Sequence, residues 1–122
     1  MEDVEANKDK QRLPLYLVHG AMDSAMGFLN RAEEDKTWAL QMVKKGYDVW
    51  INNSRGVKYS DKNDRDGLWS LKERWDFNWA DMGYYDLPAS IDYIIAETGA
   101  SKVTVAAHSQ GTSQVWYALA KR

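Results

Sequence analysis

A parallel β-sheet with helices packed on its faces, an α/β fold, is what this chain of 122 residues predicts. Two observations carry the expectation. Strand-like runs alternate with helix-like periods in the order strand, helix, strand, loop, helix, strand, helix, and such alternation calls for crossover connections between parallel strands. The second observation is local. Ala106-Ala107-His108-Ser109-Gln110-Gly111-Thr112 lies between a β-branched stretch and a helical one. Strand, tight turn with a central serine, then helix is the setting of a nucleophile elbow, which holds the hydroxyl clear of the backbone on a strained turn. Strand and helix pass close together there, so the neighbours must be small. Ala107 stands where the usual Gly-x-Ser-x-Gly pattern has its first glycine and adds only a methyl group.

Residues 1–12 read as a polar lead-in and 13–122 as the domain. Leu13 to His19 is a nearly continuous apolar run, as a strand covered on both faces requires. Gly20 to Gly27 is a small-residue loop holding Asp23 and Ser24. Thr37 is placed to cap a helix from Trp38 to Lys45, with Trp38, Ala39, Met42 and Val43 on one face and Gly46 as the stop. Tyr47 to Ile51 is the second strand, ended by Asn52-Asn53-Ser54-Arg55-Gly56. Residues 57–74 are polar and turn-rich. A helix from about Trp79 to Thr98 sets Leu87, Ile91, Ile94 and Ile95 at core spacing, and Pro88 within it predicts a kink or a broken first turn. Gly99 ends that helix. Lys102-Val103-Thr104-Val105 is the third strand, and Ser113 to Lys121 the last helix. Three strands make a thin sheet, and unpaired edges are normally covered. A larger fold, or a protein partner on those edges, is therefore expected.

The bulk numbers exclude several classes. With 44% hydrophobic and 28% charged residues the composition is that of an ordinary globular domain. A net charge of −2 gives no footprint for nucleic acid. The absence of cysteine removes disulfides, thiolate metal sites and cysteine nucleophiles. No run reaches the ~18 apolar residues of a membrane span. The opening, Met1 to Lys10, is too charged for a signal peptide.

Ser109 is the candidate nucleophile. Acyl transfer also needs two backbone N–H groups aimed at the developing oxyanion. Gln110, directly after the serine, would give one; Ala21, which Gly20 frees to approach, would give the other. The alternative is that Gly20 merely opens a turn. His19 and His108 are the only histidines. His108 adjoins the serine and is expected to point away from its hydroxyl. His19 is better suited to fixing the loop after its strand than to acting as a base. No metal or cofactor site is expected. Asp64, Asp66, Gly67 and Glu73 match positions of a calcium loop, but Lys62 puts a cation at its first ligand position. Asn52-Asn53-Ser54 is a formal glycosylation acceptor. Trp69, Trp75 and Trp79 are expected to cover a core.

From Leu13 to Leu119 the residues resemble the acid lipase family of α/β-hydrolases, the group of gastric and lysosomal acid lipases. The likeness rests on the strand ending in His19-Gly20 and on Gly46-Tyr47-Asp48-Val49-Trp50 with Asn53-Ser54-Arg55-Gly56. It continues through Trp75-Asp76-Phe77-Asn78-Trp79 and Asp81-Met82. Tyr85-Asp86-Leu87-Pro88-Ala89-Ser90-Ile91 and His108-Ser109-Gln110-Gly111-Thr112 complete it. The resemblance implies a partial α/β-hydrolase fold, a parallel sheet with flanking helices, truncated after the nucleophile-elbow helix. It implies neutral lipid ester substrates, triacylglycerols or steryl esters, and a secreted or lysosomal setting. Ser109 matches the family's nucleophile, and Ala21 and Gln110 its oxyanion positions, with Ala21 smaller than the usual apolar residue. Arg55 matches an arginine expected to tie its loop to neighbouring backbone. The family's acid, histidine and lid follow the serine, whereas this chain ends at Arg122. The expectation is a nucleophile-bearing portion, inactive by itself. A non-catalytic structural or interaction module, or one half of a split enzyme, are the alternatives.

Overall fold

The computed structural model describes residues 12–30, 36–61 and 71–121. The polar lead-in apart from Arg12, Trp69 and most of the calcium-loop match lie outside them. Strand β1, Pro14–Val18, is buried along its whole length. Strands β2, Asp48–Ile51, and β3, Thr104–Ala107, flank it. Both pair with it in parallel, giving the order β2-β1-β3. The α/β class is thus as expected. Side-chain alternation along β1 divides the core. Tyr16 and Val18 pack with Leu87, Ile94 and Ala118 on one face. Leu15 and Leu17 pack with Ala39 on the other. Both faces of the central strand are covered, which is why its sequence carries no polar alternation.

A 3-10 turn, Ala25–Phe28, follows β1, and helix α1 spans Trp38–Lys44. Thr37 holds the N-cap position of α1, but its side chain makes no capping bond. Of the expected apolar face Ala39 is buried, while Trp38 and Val43 are exposed. Gly46 turns the chain into β2 with φ 91°. After the one-turn helix α2, Leu71–Arg74, comes helix α3, Trp79–Asp81. Its start is fixed by a reciprocal cap. Asn78 Oδ1 accepts from the Ala80 N–H at 2.8 Å, and Asp81 accepts from the Asn78 N–H at 2.8 Å.

The long helix expected from Trp79 is interrupted. Met82–Asp86 winds as a π-helix, and only Leu87–Thr98 is regular α-helix, here α4. Pro88 has no N–H to offer the carbonyl four residues back, and its ring crowds that carbonyl. The widened turn falls immediately before it, in place of a simple kink. Gly99 ends α4 in the left-handed region, φ 68°. Two boundaries differ from the sequence reading. Strand β3 lies two residues later than Lys102–Val105, because pairing with β1 draws Ala106 and Ala107 into the ladder opposite Leu17 and Val18. Helix α5, Gln110–Lys121, starts directly after Ser109 rather than at Ser113. Trp75 and Trp79 remain about half exposed, 51% and 44%, so they do not cover a core. Trp75 tilts on Phe77, and Trp79 meets Tyr117 edge-on.

Candidate active site

Ser109 occupies the junction between β3 and α5 with φ 51°. A side chain in the left-handed region brings Cβ against the following carbonyl, at a cost of roughly 1–2 kcal/mol. The strain persists because both neighbours of the turn are committed. The His108 N–H continues the ladder to Val18 O at 3.0 Å, and the Thr112 N–H already bonds Ser109 O at 2.9 Å. Gly111 shows why the turn needs small residues. A Cβ there would stand 2.7 Å from Val18 O and 2.8 Å from His19 O. The sharp strand-to-helix turn expected at Ser109 is present, with its φ outside the common regions.

The loop after β1 comes to the same end of the sheet. A Cβ on Gly20 would lie 3.0 Å from Ser109 Cβ and 3.5 Å from its hydroxyl oxygen. A side chain at Gly20 would crowd both residues of this corner, which would have to give way by a few tenths of an ångström. Ala21 and Gln110 follow the two facing strand ends, and no described residue accepts from the backbone N–H of either. The loop then turns through Met22, itself at φ 58°.

His19 holds this loop from below and is 2% exposed. Its Nδ1 lies 2.7 Å from Gly20 O, and its Nε2 accepts the Ser54 N–H at 3.0 Å. A backbone N–H can only donate, so Nε2 is bare and Nδ1 carries the proton. In the trans peptide joining Gly20 to Ala21, the carbonyl oxygen and the N–H point in opposite directions. Holding Gly20 O on the imidazole therefore fixes where the Ala21 N–H points. With both nitrogens engaged, His19 has no lone pair for a proton from Ser109. His108 is exposed, and its Nδ1 also lies against Gly20. Among the described residues no hydrogen bond joins either imidazole to the Ser109 hydroxyl, and no carboxylate orients His108.

The turn after β2 supports the same loop twice. Besides the Ser54 N–H on His19, the Asn53 side-chain oxygen accepts the Ala25 N–H at 3.0 Å. Arg55 anchors this turn, though not to backbone as expected. Its Nε donates to Asp86 Oδ2 at 2.6 Å and its Nη2 to Asp86 Oδ1. A guanidinium fork and a carboxylate match in geometry, and two parallel bonds fix orientation as well as distance. Hydrogen bonding to Asp86 is the main reason the Arg55 pKa is raised. The Phe77 ring lies 5.6 Å from the guanidinium carbon. Asn52, the formal glycosylation acceptor, spends its amide on Ser54 Oγ at 3.2 Å, and Ser54 is buried.

Asn53 and Asp86 escaped the sequence reading as supports of the site. Both stand in runs that carried the family likeness without evident chemistry, which was the available signal. Among the described residues no group of three or more His, Asp or Glu could hold a metal. No described helix is long and apolar enough to cross a membrane.

Comparison with known proteins places this arrangement. The model of the alpha/beta hydrolase fold matches residues 13–122. Gastric triacylglycerol lipase of Mus musculus is 41% identical over 98 residues, covering 80% of this chain and 24% of the mouse protein. A probable lipase of Schizosaccharomyces pombe is 37% identical over 110 residues, 89% of this chain and 23% of the yeast protein. Lipase 1 of Drosophila melanogaster is 37% identical over 109 residues, 89% of this chain and 24% of the fly protein. The chain spans about a quarter of the length of these relatives.

Proposed function

Because the chain belongs to the alpha/beta hydrolase fold family, we propose that it is the nucleophile-bearing portion of a lipase acting on neutral lipid esters. Ser109 attacks the ester carbonyl, and the backbone N–H groups of Ala21 and Gln110 receive the oxyanion. The alcohol then leaves, and water hydrolyses the acyl-serine. The strained φ of Ser109, beside a glycine whose added Cβ would stand 3.5 Å from its hydroxyl oxygen, is the observation that carries this reading. The lipase relatives support the ester class, and triacylglycerol appears in the name of the mouse protein.

The isolated chain lacks activation. A serine hydroxyl is a poor nucleophile at neutral pH without a base in reach. His19 has both ring nitrogens occupied, and among the described residues no carboxylate positions His108. On this reading a base and its orienting acid complete the site from outside the described residues. A non-catalytic interaction module is the second reading, favoured by the outer side of β2, which is unpaired among the described residues.

Intact-mass detection of an acylated Ser109 separates these readings. The purified chain incubated with nitrophenyl butyrate is expected to acylate no faster than Ser109→Ala. Added imidazole, a free base small enough to reach the serine, is expected to yield one butyryl group on the wild type and none on Ser109→Ala. No acylation under either condition overturns the nucleophile assignment. Acylation of Ser109 without imidazole shows that the chain does supply a base.

A further inference from the structure

Consecutive residues of the turn after β2 each hand a polar group to a different place. The Asn52 amide donates to Ser54 Oγ at 3.2 Å, and the Asn53 side-chain oxygen accepts the Ala25 N–H at 3.0 Å. The Ser54 N–H meets His19 Nε2 at 3.0 Å, and the Arg55 fork closes on Asp86. Two of these contacts grip the loop beside Ser109, one at each end of the segment from His19 to Ala25. The last fastens the turn itself to a helical segment.

That segment is firmly seated. Asp86 closes the π-helix, whose Met82 and Gly83 are buried, and Leu87 and Pro88 directly after it are buried as well. The Asp86 carbonyl oxygen accepts the Ser90 hydroxyl at 2.8 Å. Asp81 also bears on the Arg55 charge, but its carboxylate is taken by the Asn78 N–H. Asp86 is therefore the partner that decides where the guanidinium lies. The two side chains are 36% and 32% exposed, so water and salt weaken the attraction between them, and such a pair adds little to the stability of a fold. Its two parallel bonds still fix direction.

We propose that the Arg55–Asp86 pair aims the Ala21 N–H. Both are positioning residues for the oxyanion site, acting through Ser54, His19 and the Gly20 carbonyl. With the fork closed, the Ser54 N–H stays on Nε2 and the Nδ1 proton stays on Gly20 O. The planar peptide that follows then sends the Ala21 N–H the opposite way. With the fork open, the turn swings, both grips on the loop loosen, and the donor loses its direction. Oxyanion donors act because they are fixed before the charge develops. The proposal rests on the reading of Ala21 as such a donor, but its geometric part does not need a reactive Ser109.

The test reads the direction of the Ala21 N–H itself, as its residual dipolar coupling in the weakly aligned, isotope-labelled full chain. Asp86→Asn keeps the side-chain size and removes the charge. It is expected to move the Ala21 coupling towards zero, while those of Tyr16 and Leu17 in β1 keep their wild-type values. Amide exchange at Ser54 and Ala25 is expected to quicken by at least about tenfold, with the His108 amide, which bonds Val18 O, unchanged. Arg55→Lys keeps the charge and loses the fork, and is expected to do the same. Imidazole-assisted butyrylation of Ser109 is expected to slow by at least about tenfold in both variants, as the loss of an oxyanion donor demands. Unchanged coupling and exchange in Asp86→Asn overturn the proposal. So does a change shared by Tyr16, Leu17 and His108, or a variant that fails to fold, since the pair would then hold up the whole domain. Wild-type behaviour of Arg55→Lys overturns it because charge alone would suffice, and so does a moved coupling with butyrylation at the wild-type rate. Absence of butyrylation in the wild type strikes the reading of Ser109 instead, and the Ala21 coupling then decides the positioning by itself.

Discussion

Ser109 combines a polar side chain with a left-handed backbone, and the cost of that combination is measurable. Glycine at this position loses the Cβ clash, whereas alanine keeps it. Ser109→Gly is expected to be more stable than Ser109→Ala by about 1 kcal/mol in urea unfolding. Equal stability would show that the turn relaxes once the hydroxyl is gone. Tyr16 yields a second test. Burial raises its pKa above the ordinary 10.0, with Ser90 and Asn52 pulling the other way and Asp86 adding to the rise. The unfolded phenol therefore ionises first as pH rises. The contribution is fully present below pH 10, and it is lost as pH climbs towards the raised folded value. Tyr16→Phe is expected to show a shallower fall in stability above pH 10 than the wild type, measured by urea unfolding at stepped pH. An unchanged slope would mean that other tyrosines govern the alkaline limb.

At the scale of elements, the π-helical segment and α5 are fitted to each other. Gly83 lies so close to α5 that a Cβ would stand 2.7 Å from Gln114 O. The Gln114 amide, in turn, reaches Met82 Sδ at 3.2 Å. Backbone on this contact cannot move aside as a flexible side chain can. Gly83→Ala is expected to cost about 1–3 kcal/mol, seen as a lower thermal midpoint. A neutral outcome would mean that the π turn slides along α5. The same segment ends in Asp86, which holds Arg55, whose turn holds the loop beside Ser109 through Ser54 and Asn53. A chain of hydrogen bonds thus runs from the interruption before Pro88 to the backbone of Gly20. The interruption itself was half legible. Proline announced that the helix would break, but not that the turn before it would widen, because that choice depends on how closely Gly83 must approach α5.

At the scale of the molecule, three parallel strands carry a buried central strand and two flanking ones. The apolar run from Leu13 to His19 foretold the burial of β1, since a strand covered on both faces has no polar positions to display. The elbow was equally plain, because its small residues answer to contacts one strand away. Other features were settled by tertiary contact. β3 is displaced towards Ala106 and Ala107 because its register is set by β1, and alanine has too little strand preference to mark the boundary. Arg55 meets the Asp86 carboxylate because the turn after β2 and the start of α4 converge, a proximity that no local pattern records. His19 takes a fixed tautomer because Ser54, distant in sequence, turns an N–H towards it. By itself the sequence determined the order of the strands and main helices and which serine sits on the strained turn, since these depend on neighbours along the chain. Only the tertiary structure decided which polar groups meet around that serine, since hydrogen bonds and ion pairs depend on the positions of segments that the chain brings together only when it folds.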